Sequence, residues 1–350
     1  DNTSTTLSVC DTSFYDSGGP LSLTGSSFKR TFLPATPGSK LRLTINSLDL
    51  FSQNFSSASL NIYDGLNTSA PAIATLRGRD NGNTLKEFIA SNPDGALTVE
   101  FVKSTFSSSG WWGGLTCYQP EVYRTISNGN WNNPLIWEKK NISGTYVSTN
   151  NVPQKGDDSI YIRHNVLINN SYLIDQVVIE ENGNLRIESP DANFISINTY
   201  KVLPQPEFLV RGTLTLNDKV QIFGNNGYME VKGNLINAGK IDLDSVLFTG
   251  NQPQILGSPG FTGALRNIRI SNPAGITLAG NQQVAGILFD KGLINTDNIA
   301  MIILSEGESS RGAGTTSHIN GPAAIGLFGS GNRIYPIGKN GTYLPVELNC

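Results

Sequence analysis

The chain has 350 residues, only 15% of them Asp, Glu, Lys or Arg, and a formal net charge of -3. Two domains are the natural expectation at that length, and the absence of a Lys/Arg block removes the basic footprint that nucleic acids and anionic membranes require. No run approaches the ~18 consecutive apolar residues of a membrane helix, so membrane insertion is not expected. Gly and Asn, 37 of each, suit tight turns because both tolerate positive φ. No basic-then-apolar segment opens the chain, which reads as a mature form whose signal has been removed. Helical periodicity is nearly absent, whereas alternations such as Leu41-Arg42-Leu43-Thr44-Ile45 and Ser159-Ile160-Tyr161-Ile162-Arg163 recur between Gly, Asn, Pro and Asp clusters. An all-β protein is predicted.

Residues 1–119 read as short strands between Gly/Ser/Asn turns, closing on Gly110-Trp111-Trp112-Gly113-Gly114-Leu115-Thr116-Cys117. Regular short strands of this kind predict a β-sandwich. Cys10 and Cys117 bracket the segment and Cys350 is the last residue. An odd count leaves one thiol for another chain, for a partner, or for nothing, and Cys350 is the candidate interchain or free thiol. Trp111 and Trp112 are adjacent on a strand and must point to opposite faces, so one is expected in the core and the other partly exposed. Both are candidate ligand contacts, since an exposed Trp stacks on a sugar or anchors a partner, although packing under a loop is the commoner fate. Asp16 and Asp64 each precede Gly and read as turn aspartates bonded to their own backbone.

This segment resembles the CUB family in its bacterial branch. The matching residues are Cys10, Phe14-Tyr15-Asp16-Ser17-Gly18-Gly19, Thr31-Phe32-Leu33-Pro34, Pro37-Gly38-Ser39-Lys40-Leu41, Leu60-Asn61-Ile62-Tyr63-Asp64-Gly65, Gly95-Ala96-Leu97-Thr98-Val99-Glu100-Phe101 and Gly110-Trp111 with Cys117. The resemblance implies a jelly-roll-like sandwich used for protein or glycan contact, and a Cys10–Cys117 disulfide, because the family sets its first and last strands side by side. Many of its members bind calcium through a Glu and two Asp. Here Ala58 and Ser104 fall where those aspartates are expected, so no calcium is predicted at that place.

Residues 120–128 read as a linker, with Gln119-Pro120 as its hinge, and 129–350 as a second domain. There Val210-Arg211-Gly212-Thr213-Leu214 is echoed by Val231-Lys232-Gly233-Asn234-Leu235, a shift from 212 to 233, and again by Val284-Ala285-Gly286-Ile287-Leu288. A repeat near 20 residues with two or three short strands is the signature of a β-solenoid, whose coils share one core. Asn182, Asn225, Asn226, Asn234 and Asn237 are placed at coil corners, in turns or ladders. The segment resembles the right-handed parallel β-helix regions of large secreted proteins of the Bacteroidota. The residues that carry it are Asn130-Trp131 through Pro134 to Trp137, Val152-Pro153 through Gly156-Asp157-Asp158, Gln254-Ile255-Leu256-Gly257, Ser317-His318-Ile319-Asn320-Gly321-Pro322, Tyr335-Pro336-Ile337-Gly338 and Tyr343-Leu344-Pro345-Val346-Glu347-Leu348. The resemblance implies export by the type IX route.

Chemistry is sparse. The nearest to a paired acid is Asp242 with Asp244, which share a face if one strand carries both, while Asp157 and Asp158 diverge. Neither pair shows a neighbouring His or Arg clamp in the sequence. His164 and His318 are lone, and read as solvent-facing or hydrogen-bonded. Gly329-Ser330-Gly331 is a turn without the strand-to-helix setting of a phosphate loop. No cofactor or metal is expected. Asp158-Ser159-Ile160 and Asp244-Ser245-Val246 match the O-glycosylation triplet reported for this bacterial group, which makes Ser159 and Ser245 candidate modification sites.

The expectation is therefore a non-enzymatic extracellular structural or adhesive surface protein. Its partners would be copies of itself, as a homo-oligomer or filament, and a glycan or surface protein. Its polar opening and Cys350 would be held by a neighbouring subunit, with the leading coil covered by the sandwich and the last coil uncapped. A carbohydrate-binding or polysaccharide-cleaving β-helix is the alternative.

Overall fold

The computed structural model describes residues 5–16, 27–50, 58–80, 86–103, 110–154, 156–157, 159–174, 176–190, 194–199, 206–224, 227–305, 310–325 and 332–349. The chain divides into two compact units, Asp1–Pro120 and Glu121–Cys350. Strands dominate both, and among the described residues no helix is long and apolar enough to cross a membrane. Cys350, Ser104, Asp158, Asn225, Asn226 and Gly329-Ser330-Gly331 lie outside the described residues.

The first unit is a two-sheet sandwich. One sheet runs Thr5–Val9, Phe28–Pro34, Leu97–Val102, Ser59–Tyr63 and Ala72–Asp80. The strand Ala72–Asp80 crosses into the other sheet, where Lys40–Leu50 pairs with Lys86–Ile89 on one side and Gly110–Tyr118 on the other, followed by Thr12–Tyr15. Strict alternation makes this geometry: Leu41, Leu43 and Ile45 are buried while Lys40, Arg42 and Thr44 between them are not. Phe14, Phe32, Phe101 and Trp111 meet at the centre, with Trp111 4.9 Å from Phe101 and 5.9 Å from Phe14. Cys10 and Cys117 form a disulfide with their Cα atoms 5.1 Å apart, as the resemblance implied.

The second unit is a parallel β-solenoid with three strand faces. In one coil, Val177–Ile179, Asn184–Ile187 and Ile195–Thr199 follow each other, and each pairs in parallel with its equivalent one coil on, Phe208–Val210, Thr213–Leu216 and Val220–Gly224. Inward residues stack in register: Ile162, Ile179, Val210, Val231 and Phe248 on the first face, Val166, Leu185, Leu214, Leu235 and Leu256 on the second, Ile197, Ile222, Ile241, Leu265 and Val284 on the third. All belong to one continuous cluster. Burying such a side chain contributes about 1.5–3 kcal/mol, so the stack holds each coil to its neighbours.

Gly212 and Gly233 do occupy one corner, joined by Gly183, because a Cβ on Gly212 would lie 2.2 Å from the Gly183 carbonyl oxygen of the coil before. Only glycine permits that approach. The third echo is elsewhere: Val284–Leu288 lies inside the long strand Asn281–Lys291, at the corner between the third and first faces. The expected linker is also corrected, since Tyr123–Thr125 already pairs with Ile160–Ile162 and Gly129–Asn130 with Asn165–Ile168. Residues 121–128 therefore belong to the first coil, where Tyr123 is buried.

The last coil departs from the uncapped end expected, and the first is closed by residues of its own unit. At the start, Trp137–Lys140 pairs antiparallel with Tyr123–Thr125 and Tyr146–Ser148 pairs antiparallel with Trp137–Lys140, and Trp131 and Trp137 plug the core with their rings 5.0 Å apart. Trp137 Nε1 donates to the Trp131 carbonyl at 2.9 Å. At the far end, Ile337–Lys339 turns back on Thr342–Tyr343, and Asn332–Tyr335 pairs antiparallel with Val346–Asn349. Antiparallel closure blunts a parallel edge that would otherwise template another chain.

Candidate functional site

On the sandwich, Trp111 is 2% exposed and Trp112 is 46% exposed, as alternation requires. Trp112 stands directly across from Tyr15, itself 39% exposed, so two aromatic side chains share an outer face. Gly114, two residues on along the strand, leaves that face low beside them. Asp16 reaches beyond its own turn: it is buried, and its Oδ2 accepts from the Trp111 N–H at 3.0 Å, fixing where the tryptophan strand begins. Asp64 likewise reaches another loop, accepting from the Ser91 N–H at 2.9 Å and from Asn92 Nδ2 at 2.6 Å. Ala58 is buried at 2% exposure.

On the solenoid, a groove of about 560 Å³ lies along the corner after the first face, lined by Arg124, Arg163, Arg211, His164, Glu180 and Glu181 among others. The stacking that aligns Ile162, Ile179 and Val210 also aligns the residues that follow, so Arg163, Glu180 and Arg211 succeed one another coil by coil, roughly 4.8 Å apart. Arg163 Nε pairs with Glu180 at 3.1 Å. Arg124 pairs with Glu138 at 2.7 Å and lies over the Tyr146 ring at 4.0 Å. Arg211 is exposed, and among the described residues no acid pairs with it. His164 Nδ1 lies 3.0 Å from Thr125 Oγ1, which also accepts from the Arg163 N–H. His164 is thus a hydrogen-bonded groove residue. No sequence motif marked this cluster, because its members are distant in sequence and only the coil register joins them.

The acid pairs resolve differently from expectation. Asp242 ends the strand Lys240–Asp242 and pairs with Lys240 at 3.1 Å, whereas Asp244 lies past the bend and pairs with Arg266 at 3.4 Å. They do not share a strand, and each has the cation that the sequence did not reveal. Asp157 is buried and accepts from the Gln154 N–H at 2.7 Å and the Glu121 N–H at 3.2 Å, pinning the loop before Ile160. Ser159 and Ser245 are half-buried, one before and one opening a first-face strand. His318 is fully buried, with Nδ1 3.0 Å from the Gly314 carbonyl. Among the described residues no group of three or more His, Cys, Asp or Glu could hold a metal.

The predicted asparagine ladders take a specific form. Asn320 Nδ2 donates to Asn295 Oδ1 at 2.9 Å between neighbouring coils. Inside the solenoid, Asn237 bonds Gln282, and Asn272 bonds Gln254 at 2.8 Å. Asn234 caps the next coil by accepting from the Ile255 N–H.

No known protein-family profile matches the chain, and no curated protein matches it. Among solved structures, the CUB1-EGF-CUB2 domains of rat MASP-1 align with 13% identity and a TM-score of 0.26 over 45% of this chain. The full extracellular region of zebrafish Gpr126/Adgrg6 aligns with 15% identity and a TM-score of 0.23 over 35% of it. The chain spans 62% and 15% of those two proteins respectively. Superpositions of that quality carry no argument about function, and the fold stands on the strand pairing: a disulfide-closed two-sheet sandwich followed by a parallel β-solenoid.

Proposed function

We propose that this chain is a non-enzymatic extracellular surface protein of structural and adhesive kind. The observation that carries the reading is the unbroken apolar core of the solenoid from Tyr123 to Ile319, which makes that unit a stiff, quasi-one-dimensional spacer. The Cys10–Cys117 disulfide supports an oxidising, extracellular setting. The Trp112–Tyr15 face of the sandwich is the adhesive contact, since aromatic side chains dominate recognition surfaces. The motif series shared with secreted Bacteroidota proteins makes type IX export the expected route.

Assembly into homo-oligomers or a filament is part of the proposal. The plugged first coil and the antiparallel closure of the last favour lateral over end-to-end contact. The non-enzymatic reading is supported by Asp242 and Asp244 each being held by its own cation on different sides of a bend. Incubation with acidic polysaccharide is expected to leave chain length unchanged. Shortening of the polysaccharide that disappears in Asp242→Asn/Asp244→Asn would overturn the reading.

A further inference from the structure

The corner groove has a composition that the structural role does not use. Three guanidiniums, those of Arg124, Arg163 and Arg211, line it together with the carboxylates of Glu180 and Glu181. Arg124 and Arg163 are engaged with Glu138 and Glu180, but Arg211 is exposed and no ion pair among the described residues spends it. A guanidinium presents a planar fork of donors that matches a carboxylate in two parallel bonds. The carboxylates one and two residues from the same corner are acceptors, suited to hydroxyl hydrogens and hostile to a dense polyanion. A ligand that satisfies both sets carries a carboxylate at intervals and hydroxyls between.

We infer that this groove binds an acidic saccharide, with a uronate carboxylate on Arg211 and sugar hydroxyls donating to Glu180 and Glu181. The coil register supports a chain-like ligand, because Arg163 and Arg211 stand two coils apart on one line parallel to the solenoid axis. The inference deepens the adhesive reading by naming a ligand class, and it uses a surface separate from the Trp112–Tyr15 face.

Calorimetric titration of the full, unreduced chain with oligogalacturonate tests it, beside the methyl-esterified oligomer and a poly-glutamate peptide of similar length. The acidic oligomer is expected to bind, and the ester at least about tenfold more weakly, the loss of one charge-assisted bidentate contact. Arg211→Ala should weaken the acidic oligomer by a similar factor without lowering the melting temperature, since the side chain is exposed. Arg211→Lys should recover only part, because a lysine lacks the fork. Equal affinity for acid and ester, an unchanged Arg211→Ala, or no binding of the acidic oligomer overturns the inference. Poly-glutamate binding as tightly as the sugar overturns it in favour of an acidic peptide. Each of these failures leaves adhesion through the sandwich standing, which Trp112→Ala addresses separately.

Discussion

Asn237 offers a direct test of how the solenoid coils are tied together. It is fully buried, its Nδ2 donates to Gln282 Oε1 at 3.0 Å, and its Oδ1 accepts from the Gly239 N–H at 3.1 Å. Gln282, also fully buried, returns a bond from Nε2 to the Asn237 carbonyl at 3.0 Å. The two residues sit two coils apart, and Gly263 of the intervening coil leaves the gap they bridge. A Cβ on Gly263 would lie 2.6 Å from Asn237 Nδ2 and 2.7 Å from Gln282 Nε2. Asn237→Ala strands two buried groups, the Gly239 N–H and Gln282 Oε1, at about 1–3 kcal/mol each, so a loss of roughly 2–6 kcal/mol is expected. Gln282→Ala should cost a comparable amount. The double variant should fall short of the sum by about 0.5–3 kcal/mol, because both changes break one network. Urea unfolding followed by far-UV circular dichroism measures all three. A single variant costing less than about 0.5 kcal/mol, or a cycle that is additive, would refute the bridge.

Three further outcomes follow from the same geometry. Replacing both Cys10 and Cys117 by Ser opens a loop with a sequence separation of 107 and should destabilise the sandwich by about 4–5 kcal/mol in the chain-entropy picture, read as a lower calorimetric transition for that unit. Trp111→Ala, which empties the centre of the aromatic cluster, should cost about 3–5 kcal/mol, whereas Trp112→Ala should stay within about 0.5 kcal/mol; equal losses in urea titrations would contradict the assigned facing. The hydrogen bond from Arg269, 2.6 Å away, lowers the Asp290 carboxyl below its usual range. The pair's contribution is therefore present above the ordinary carboxylate pKa and is lost as pH falls through the depressed one. Exposure of both groups limits it to about 1 kcal/mol, so the urea midpoints of the native chain and Arg269→Ala should differ at pH 6 and draw together as the pH falls below the usual carboxylate range.

The fold was legible wherever the sequence repeats a physical necessity. Alternation placed Leu41, Leu43 and Ile45 inside, and adjacency separated Trp111 from Trp112. The 21-residue step from Gly212 to Gly233 exposed the coil, because a corner that touches the preceding backbone admits only glycine. The third echo misled, since a Gly inside the strand Asn281–Lys291 serves a bend between other faces. The groove was not legible: Arg124, Arg163 and Arg211 meet only through a register that coils of unequal length set, the stacked partners Asn165, Asn184, Thr213 and Asn234 being unevenly spaced. The plugs were hidden for a related reason, as Trp131 and Trp137 look like any aromatic pair until the first coil closes around them. Asp242 and Asp244 looked like a pair because the bend after residue 242 leaves no mark in their spacing.

Sedimentation velocity of the native, unreduced chain across a wide concentration range asks whether this stiff surface element associates with copies of itself. Species larger than the monomer, growing with concentration and persisting as lateral bundles in negative-stain micrographs, are the predicted result. A concentration-independent monomer whose Cys350 is fully alkylatable would contradict it.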